Sequence, residues 1–343
     1  MVTEEQVRES LDEVLVPSAM RSLNGLNLVR KVVISDQMVS ITLASAALNA
    51  GTQDWIRTKT KAVVEKLPKV NKVEVEFTEV KPIELNQINR LFAVMSGKGG
   101  VGKSLVASLI AVALKRQGYE VGILDADITG PSIPKMFGIT TRPTGSDTGI
   151  LPVISRSGIE VMSINLLLPQ EDDAIIWRGP LISKTITQFW ETVLWGKLDY
   201  LVIDLPPGTA DASLTVMQIF PISGVIIVFT PQDLVDMIVR KAINMAKKMD
   251  KPILGIVENM SYLYIPELDK RVELFGRSKG QEMAQAAKAP LLGQLPIDPE
   301  LAKLCDEGAI EHYNSDAFNA MAQTLSQILT QAASAKAKGG DIQ

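Results

Sequence analysis

The clearest candidate for chemistry is a glycine-rich segment at residues 97–104, which reads GKGGVGKS. It lies between an apolar run, Leu91–Met95, and a segment of helical spacing, Lys103–Gln117. It therefore matches the G-x-x-x-x-G-K-[ST] phosphate-loop pattern in its strand–loop–helix setting. Glycines let successive backbone N–H groups point at phosphates, and the helix N-terminus adds a favourable dipole. Lys103 can reach the β- and γ-phosphates of ATP, and the Ser104 hydroxyl can bind Mg²⁺. The predicted nucleotide site comprises Gly97, Lys98, Gly99, Gly100, Val101, Gly102, Lys103 and Ser104.

Two acidic segments follow apolar runs elsewhere in the chain. One reads LDAD and contains Asp125 and Asp127, and the other reads IDLPPGT and contains Asp204. An aspartate at the carboxyl end of a buried strand lies at the edge where α/β sheets bind ligands. Asp204 is therefore the candidate that holds Mg²⁺ directly or through water.

These side chains need a scaffold, and the apolar pattern supplies one. From residue 91 to residue 331, buried-strand runs alternate with helical segments, which predicts an α/β fold with a mostly parallel, doubly wound P-loop sheet. Residues 1–80 follow the order αββαβ and predict a small α+β domain. The polar segment 81–90 is interpreted as a linker, and residues 332–343 as a flexible tail.

The composition excludes several kinds of site. The chain has 343 residues, a net charge of −4, one cysteine (Cys305) and one histidine (His312). Intramolecular disulfides are therefore impossible, and a Cys/His zinc site would need about four such ligands. A nucleophile activated by histidine is disfavoured for the same reason. Chemistry is left to Lys, Asp, Ser and backbone amides, with a hard cation.

The same sequence bears on location and on the kind of partner. No run reaches about 18 consecutive apolar residues. Residues 1–13 are charged and unlike a signal peptide. The acidic balance argues against a nucleic-acid partner. We expect a cytoplasmic protein that neither binds nucleic acid nor contacts a membrane.

The string GKGGVGKS resembles the deviant Walker A motif of the MinD/ParA/nitrogenase-reductase class of P-loop proteins. In that class the lysine corresponding to Lys98 crosses a dimer interface to the partner's nucleotide. The resemblance implies a homodimer formed through the nucleotide face, in which Lys98 neutralises charge during phosphoryl transfer. It also implies that Asp127 orients or deprotonates the attacking water, and that Asp125 supports magnesium-bound water. The catalytic candidates are Lys98, Lys103 and Asp127, and the magnesium candidates are Ser104, Asp125 and Asp204.

The resemblance to the same class also suggests which residues contact the adenine base. Similar segments there contact adenine, and Asn offers a donor and an acceptor to a purine edge. The resemblance therefore implies adenine contacts from Asn259 and from the backbone of Pro296, Ile297 and Asp298.

Three segments resemble the Mrp/ApbC branch of this class: WRGP at 177–180, DLPPGT at 204–209 and VENMSY at 257–262. Proteins of this branch are ATPases that act as scaffolds or carriers for iron–sulfur clusters. The resemblance covers residue 91 to about 329 and implies slow ATP hydrolysis by a homodimeric switch, with iron–sulfur assembly or recipient proteins as partners. Residues 1–80 more loosely resemble the small domain often fused ahead of these ATPases, because an expected Asp-Pro-Glu reads Val16-Pro17-Ser18.

One departure from this branch concerns the cluster itself. Cluster-carrying relatives place a C-x-x-C shortly after the VENMSY segment, and by spacing Ile265 and Leu268 occupy its two cysteine positions. Aliphatic side chains cannot ligate iron. A homodimer would contain only two thiols, the Cys305 of each chain, whereas a cluster needs about four. An iron–sulfur cluster is therefore doubtful as a cofactor, which leaves a regulatory ATPase acting on a cluster-bearing partner as an open alternative to cluster carriage by this chain.

The alternative function is a MinD/ParA-like positioning or regulatory ATPase that acts through protein–protein interaction. MinD-type proteins usually bind membranes through a basic amphipathic C-terminal helix. The last helix here has an apolar face but no basic residue before Lys336, so it is interpreted as a packed helix. A nitrogenase-reductase-like electron donor is disfavoured because it needs two cysteines per subunit.

Overall fold

The structure, a computed structural model, describes residues 2–127, 130–167, 179–208, 211–232 and 235–339. The chain divides into two units, one of residues 1–89, 141–154 and 187–199, the other of residues 90–140, 155–186 and 200–343. The smaller unit therefore includes two segments that the sequence analysis assigned to the P-loop domain at 91–331. The reason is apolar burial, since Leu151 and Leu194 belong to the core of the smaller unit. The predicted domain boundaries themselves remain a prediction.

The α-helices are α1 Glu4–Ser10, α2 Ala50–Val64, α3 Pro82–Leu85, α4 Lys103–Arg116, α5 Ile133–Met136, α6 Gly179–Thr192, α7 Asp211–Ile219, α8 Val235–Lys248, α9 Gly280–Ala287, α10 Pro299–Asp306 and α11 Asp316–Gly339. Short 3₁₀ helices lie at Leu11–Glu13, Ile164–Leu167, Pro266–Leu268 and Ile310–His312. The strands are β1 Leu15–Val16, β2 Arg21–Ser22, β3 Val29–Ser35, β4 Met38–Ala44, β5 Lys72–Thr78, β6 Gln87–Met95, β7 Val121–Asp125, β8 Thr144–Ser146, β9 Gly149–Leu151, β10 Val153–Ile154, β11 Glu160–Ser163, β12 Lys197–Asp204, β13 Gly224–Phe229, β14 Ile253–Glu258, β15 Leu263–Ile265, β16 Lys270–Val272 and β17 Leu291–Gln294.

Residues 4–78 contain α1, β3, β4, α2 and β5 in the predicted αββαβ order, with a short extra strand pair, β1/β2, between α1 and β3. Strand β4 lies between β3, to which it is antiparallel, and β5, to which it is parallel. Local signals start both helices. Thr3 and Gln6 form a capping box at α1, and Asn49 accepts a hydrogen bond from the Thr52 N–H at α2. The β1/β2 pair was not predicted, because two-residue strands give no periodicity to detect.

Two irregular segments predicted from the sequence have regular structure. Within the predicted linker 81–90, Pro82 begins helix α3, a position that suits its fixed φ, and β6 already starts at Gln87. The predicted flexible tail 332–343 is helical as far as Gly339. Its alanines have the highest helix propensity of any residue, which accounts for the continuation. Residues 340–343 lie outside the described residues.

The large sheet confirms the predicted fold class. Its eight strands have the order β10-β11-β7-β12-β6-β13-β14-β17. The β11–β7, β12–β7, β13–β6, β13–β14 and β14–β17 pairings are all parallel. The carboxyl ends of β7 and β12 therefore lie at one edge, and the Leu205 N–H donates to the Val94 carbonyl at 3.0 Å, so the end of β6 lies there too. This is the edge where the phosphate loop and the acidic residues were predicted. None of the described helices is long and apolar enough to cross a membrane.

Candidate nucleotide-binding site

The phosphate loop connects β6 to α4 in the predicted way. Gly102 precedes the helix as its N-cap, in the left-handed region at φ +77°, and Gly100 has the same φ. Residues with a Cβ rarely adopt this conformation, so both glycines are required by the path of the loop. The loop lines a cavity of about 310 Å³, which Asp127 and Pro207 also border.

A different constraint acts on Gly97, whose φ is ordinary. A Cβ at this position would overlap the Ile238 side chain and lie 2.8 Å from the Ile238 carbonyl carbon. Helix α8 therefore packs directly against the start of the loop. The sequence could not show this contact, because Ile238 lies far along the chain.

Lys103, Ser104 and Asp204 form the centre of the site. The Lys103 Nζ donates to Asp204 Oδ1 over 2.5 Å, and the Ser104 Oγ donates to Asp204 Oδ2 over 2.5 Å. Asp204 is fully buried, and Lys103 is 6% exposed. The predicted lysine, hydroxyl and carboxylate are thus brought together. A serine hydroxyl beside a carboxylate is a hard-oxygen donor set that suits Mg²⁺.

Asp125 is the second fully buried carboxylate. It accepts hydrogen bonds from the Asp127 N–H at 3.2 Å, the Ile133 N–H at 3.3 Å and the Ser163 hydroxyl at 3.3 Å. Burial, followed by repulsion from Asp204, raises the pKa of Asp125 to about 8. Burial also raises the pKa of Asp204, although Lys103 acts in the opposite direction. A site with this excess of buried carboxylate favours an added cation.

Asp127 lies at the rim of the same cluster. Its Oδ2 is 4.0 Å from the Lys103 Nζ, and the residue is 8% exposed. The structure thus places Asp127 on the cavity of the phosphate loop, beside the lysine. A role in activating water remains a prediction.

Lys98 is held within its own chain. Its ammonium donates to Gln232 Oε1, and its backbone carbonyl accepts from the Ser96 hydroxyl at 2.9 Å. Gln232 follows strand β13 and had no signal in the sequence that marked it as a partner. The predicted contact with a partner's nucleotide remains a prediction.

The segment after β12 bends close to the phosphate loop. The Gly208 N–H donates to the Ser96 carbonyl at 3.0 Å, and Gly208 has a φ of +84°. This contact joins the DLPPGT segment at 204–209 to the start of the loop. Thr209 and the Trp177–Arg178 pair, which carried part of the predicted resemblance, lie outside the described residues.

Asn259 contacts the phosphate loop itself. Its Nδ2 donates to the Val101 carbonyl at 2.9 Å, and the residue is 1% exposed. A Cβ on Gly102 would overlap this nitrogen. The amide therefore supports the loop, a role that the sequence analysis did not predict, while its predicted adenine contact stays a prediction.

The second group of predicted adenine contacts lies elsewhere among the described residues. Pro296, Ile297 and Asp298 line a cavity of about 800 Å³ that is distinct from the phosphate-loop cavity. Asp298 caps helix α10 by accepting from the Glu300 and Leu301 N–H groups, and its Oδ2 accepts from the Tyr313 hydroxyl at 2.8 Å. The side chain of Asp298 thus has structural partners, and the predicted adenine contact concerns its backbone.

The positions of the missing cysteines lie on a surface hairpin. Strands β15 and β16 are antiparallel and pair Ile265 with Lys270. Leu268 is 68% exposed. No cluster of three or more potential metal-ligating His, Cys, Asp or Glu side chains occurs in the part of the chain that the structure describes. Cys305 lies on α10 and is half-buried.

Two family models match this chain. One, described as NUBPL iron-transfer P-loop NTPase, matches residues 87–333. The chain belongs to this P-loop NTPase family. The second model, described as iron–sulfur cluster assembly protein, matches residues 4–77 of the chain. The predicted family resemblance is thereby confirmed in both parts of the chain.

Individual relatives agree with this family. The chain is 39% identical over 325 residues to the iron–sulfur cluster carrier protein of Aquifex aeolicus, a match that covers 84% of this chain and 88% of that protein. The iron–sulfur cluster carrier protein of Synechocystis is 38% identical over 346 residues, with 97% of this chain and 98% of that protein covered. A solved structure of a nucleotide-binding protein from Archaeoglobus fulgidus in complex with ADP is 48% identical, with a TM-score of 0.62, and covers 69% of this chain and 94% of that chain.

Proposed function

We propose that this P-loop NTPase is a Mg²⁺-dependent ATPase that acts as a homodimeric switch in iron–sulfur cluster assembly or transfer. The ATPase activity is supported above all by one observation: Lys103 and Ser104 both donate hydrogen bonds to the buried Asp204. The iron–sulfur role is supported by the family and by relatives named as cluster carriers along almost the whole chain.

The residues of the site divide the work of phosphoryl transfer. Backbone N–H groups of the loop bind the phosphates, and Lys103 exchanges its contact with Asp204 for phosphate oxygens. Ser104 and Asp204 would hold Mg²⁺, with Asp125 acting through water, and the cation supplies positive charge to the phosphates. Asp127 orients the attacking water, and Asn259 with the backbone of residues 296–298 contacts adenine.

The homodimer gives Lys98 its proposed role. In the single chain the ammonium binds Gln232, a neutral partner that can be exchanged at low cost. We infer that in the dimer it turns to the nucleotide of the partner, where it neutralises charge on the transferring phosphoryl group.

Cluster handling is proposed to occur through a partner protein. The described residues contain no cluster of metal-ligating side chains, and Cys305 is the only thiol in the chain. The cluster is therefore cargo that another protein ligates, while this chain supplies the nucleotide-dependent change in shape.

ATP turnover with and without Mg²⁺, measured on the wild type and on Lys103→Ala, tests this proposal together with reconstitution by iron and sulfide. We expect Mg²⁺-dependent turnover that Lys103→Ala abolishes, and no stoichiometric four-iron cluster. Absence of turnover in the wild type would contradict the ATPase. Strong ATP-dependent sedimentation with liposomes would instead favour a MinD/ParA-like positioning ATPase.

A further inference from the structure

Glu258 is a fully buried carboxylate at the end of strand β14. Its Oε2 accepts hydrogen bonds from the Ser261 hydroxyl at 2.7 Å, the Ser278 hydroxyl at 2.6 Å and the Gln294 amide at 2.8 Å, while its Oε1 accepts from the Lys279 N–H at 2.7 Å. A buried carboxylate is stable only when such donors replace its water. The donors around residue 258 thus require two acceptor oxygens on its side chain. Among side chains as long as that of glutamate, only a carboxylate provides two acceptors and no donor.

The donors belong to separate parts of the chain. Ser261 precedes the segment 262–277, which contains the β15/β16 hairpin, and Ser278 with Lys279 follows it. Glu258 therefore binds both ends of the 262–277 segment to the end of one buried strand. Gln294 attaches the same carboxylate to β17.

The next residue along the chain faces the phosphate loop. Asn259 donates to the Val101 carbonyl at 2.9 Å, and its own N–H donates to the Phe229 carbonyl at 2.8 Å. Successive side chains of an extended strand end point to opposite sides. Two adjacent residues thus connect the phosphate loop on one side with the base of the 262–277 segment on the other.

The 262–277 segment presents unusual surface chemistry. Four large apolar side chains are exposed on it: Tyr264 by 45%, Leu268 by 68%, Leu274 by 54% and Phe275 by 38%. Exposed apolar side chains grouped on one segment are typical of a surface that contacts another molecule. A change in the position or order of this segment would therefore alter what the protein presents to its surroundings.

We propose that Glu258 is a positioning residue that, through Asn259, couples nucleotide binding at the phosphate loop to the order of the 262–277 segment. Nucleotide binding fixes the loop, the Val101 carbonyl fixes Asn259, and the adjacent Glu258 transmits this restraint to Ser261 and Ser278. The inference rests on the proposed nucleotide switch and names the surface on which that switch acts. A purely structural role for Glu258 would instead hold the segment equally with and without nucleotide.

Hydrogen-exchange mass spectrometry of the full chain with and without ADP separates these cases. In the wild type, ADP is expected to slow exchange in peptides that cover 96–106 and in peptides that cover 262–277, the latter by about fivefold or more, the lower end of typical coupling. In Glu258→Gln, whose amide adds a donor where donors already converge, protection of 96–106 by ADP should persist and protection of 262–277 should be lost. Glu258→Gln/Gln294→Glu returns a carboxylate to the cluster and should restore it.

Glu267→Gln is the matched control, since it removes a carboxylate from the exposed part of the same segment and should leave both responses unchanged. If Glu258→Gln does not fold, Ser278→Ala removes a single donor and should reduce the ADP response of 262–277 alone. An ADP response of 262–277 that is absent in the wild type, or unchanged in Glu258→Gln or in Ser278→Ala, would overturn the coupling. Absence of protection at 96–106 in the wild type would count against the proposed nucleotide binding instead.

Discussion

The ammonium of Lys103 donates to the carboxylate of Asp204 over 2.5 Å, and both side chains are buried. Lys103→Ala leaves that carboxylate without its cation, and removing one partner of a buried pair typically costs about 3–5 kcal/mol. We expect the free energy of unfolding to fall by about that amount and ATP turnover to be abolished. Urea unfolding followed by circular dichroism measures the first effect.

Two control variants distinguish the effect of losing the buried Lys103–Asp204 ion pair from the effect of changing any lysine of the phosphate loop. Lys103→Ala/Asp204→Asn removes the unpaired charge and should recover part of the stability but none of the turnover. Lys98→Ala breaks a hydrogen bond to a neutral, partly exposed site and should cost only about 0.5–1.5 kcal/mol. Equal losses of stability in Lys98→Ala and Lys103→Ala would contradict the assignment of a buried ion pair.

Gly97→Ala is expected to disturb the phosphate loop, because its Cβ would overlap Ile238 on helix α8. Forcing extra volume into a packed contact typically costs about 1–3 kcal/mol. The matched variant is Gly99→Ala, whose Cβ would have Pro207 Cβ as its nearest neighbour at 3.9 Å. Urea unfolding should show a lower free energy of unfolding for Gly97→Ala and a near-normal one for Gly99→Ala. Calorimetric titration should show that Gly97→Ala also binds ADP more weakly. The reverse order would show that α8 does not constrain the loop.

The parts of the site that the sequence predicted are those with local signals. The strand, the GKGGVGKS loop and the helix follow one another directly in the sequence, and Asp125 and Asp204 each end a continuous apolar run. These features followed from residue types alone, because a phosphate loop and a buried parallel strand impose their own patterns.

Contacts between distant segments could not be predicted in this way. Gln232, Ser163 and Ile238 each contact the site through neighbouring elements that no sequence pattern identifies. The β15/β16 hairpin was also missed, since its turn has no glycine. Asp269 takes the left-handed conformation there, at φ +44°, a region that Asp visits more readily than most residues.

Cys305 should react slowly with thiol reagents in the folded protein. Burial, with a contribution from Asp306, raises its pKa to about 11. The protonated thiol is thus favoured by folding, so the stability linked to it is present below the ordinary thiol pKa and is lost as the pH rises toward 11. At pH 8 we expect modification by Ellman's reagent to be much slower in buffer than in urea. Equal rates would show that the thiol is freely ionised in the native state.

Ile265→Cys/Leu268→Cys should give the chain a cluster site that the wild type lacks. Leu268 is 68% exposed and Ile265 lies on the same surface hairpin, so the substitutions should not disturb the core. A homodimer of this variant would supply the roughly four thiolates that a four-iron cluster requires. After anaerobic reconstitution, iron and sulfide analysis and the visible spectrum should show a cluster in the double variant. Wild type and Ile265→Ser/Leu268→Ser should show none. A stoichiometric cluster in the wild type would show that this chain can ligate a cluster without these two cysteines.

Lys98→Gln tests the proposed role of this lysine across the dimer. The glutamine amide can still donate toward Gln232, so the folded chain should keep its stability, but it carries no charge to offer a partner's nucleotide. A cation that neutralises the transferring phosphoryl group contributes about 10³-fold or more to turnover in comparable NTPases. We therefore expect turnover to fall by about that factor and ATP-dependent dimerisation, measured by light scattering, to be lost. Gln232→Ala, which frees the ammonium from its present partner, should leave dimerisation intact or strengthen it. Full turnover and normal dimerisation in Lys98→Gln would show that the lysine acts only within its own chain.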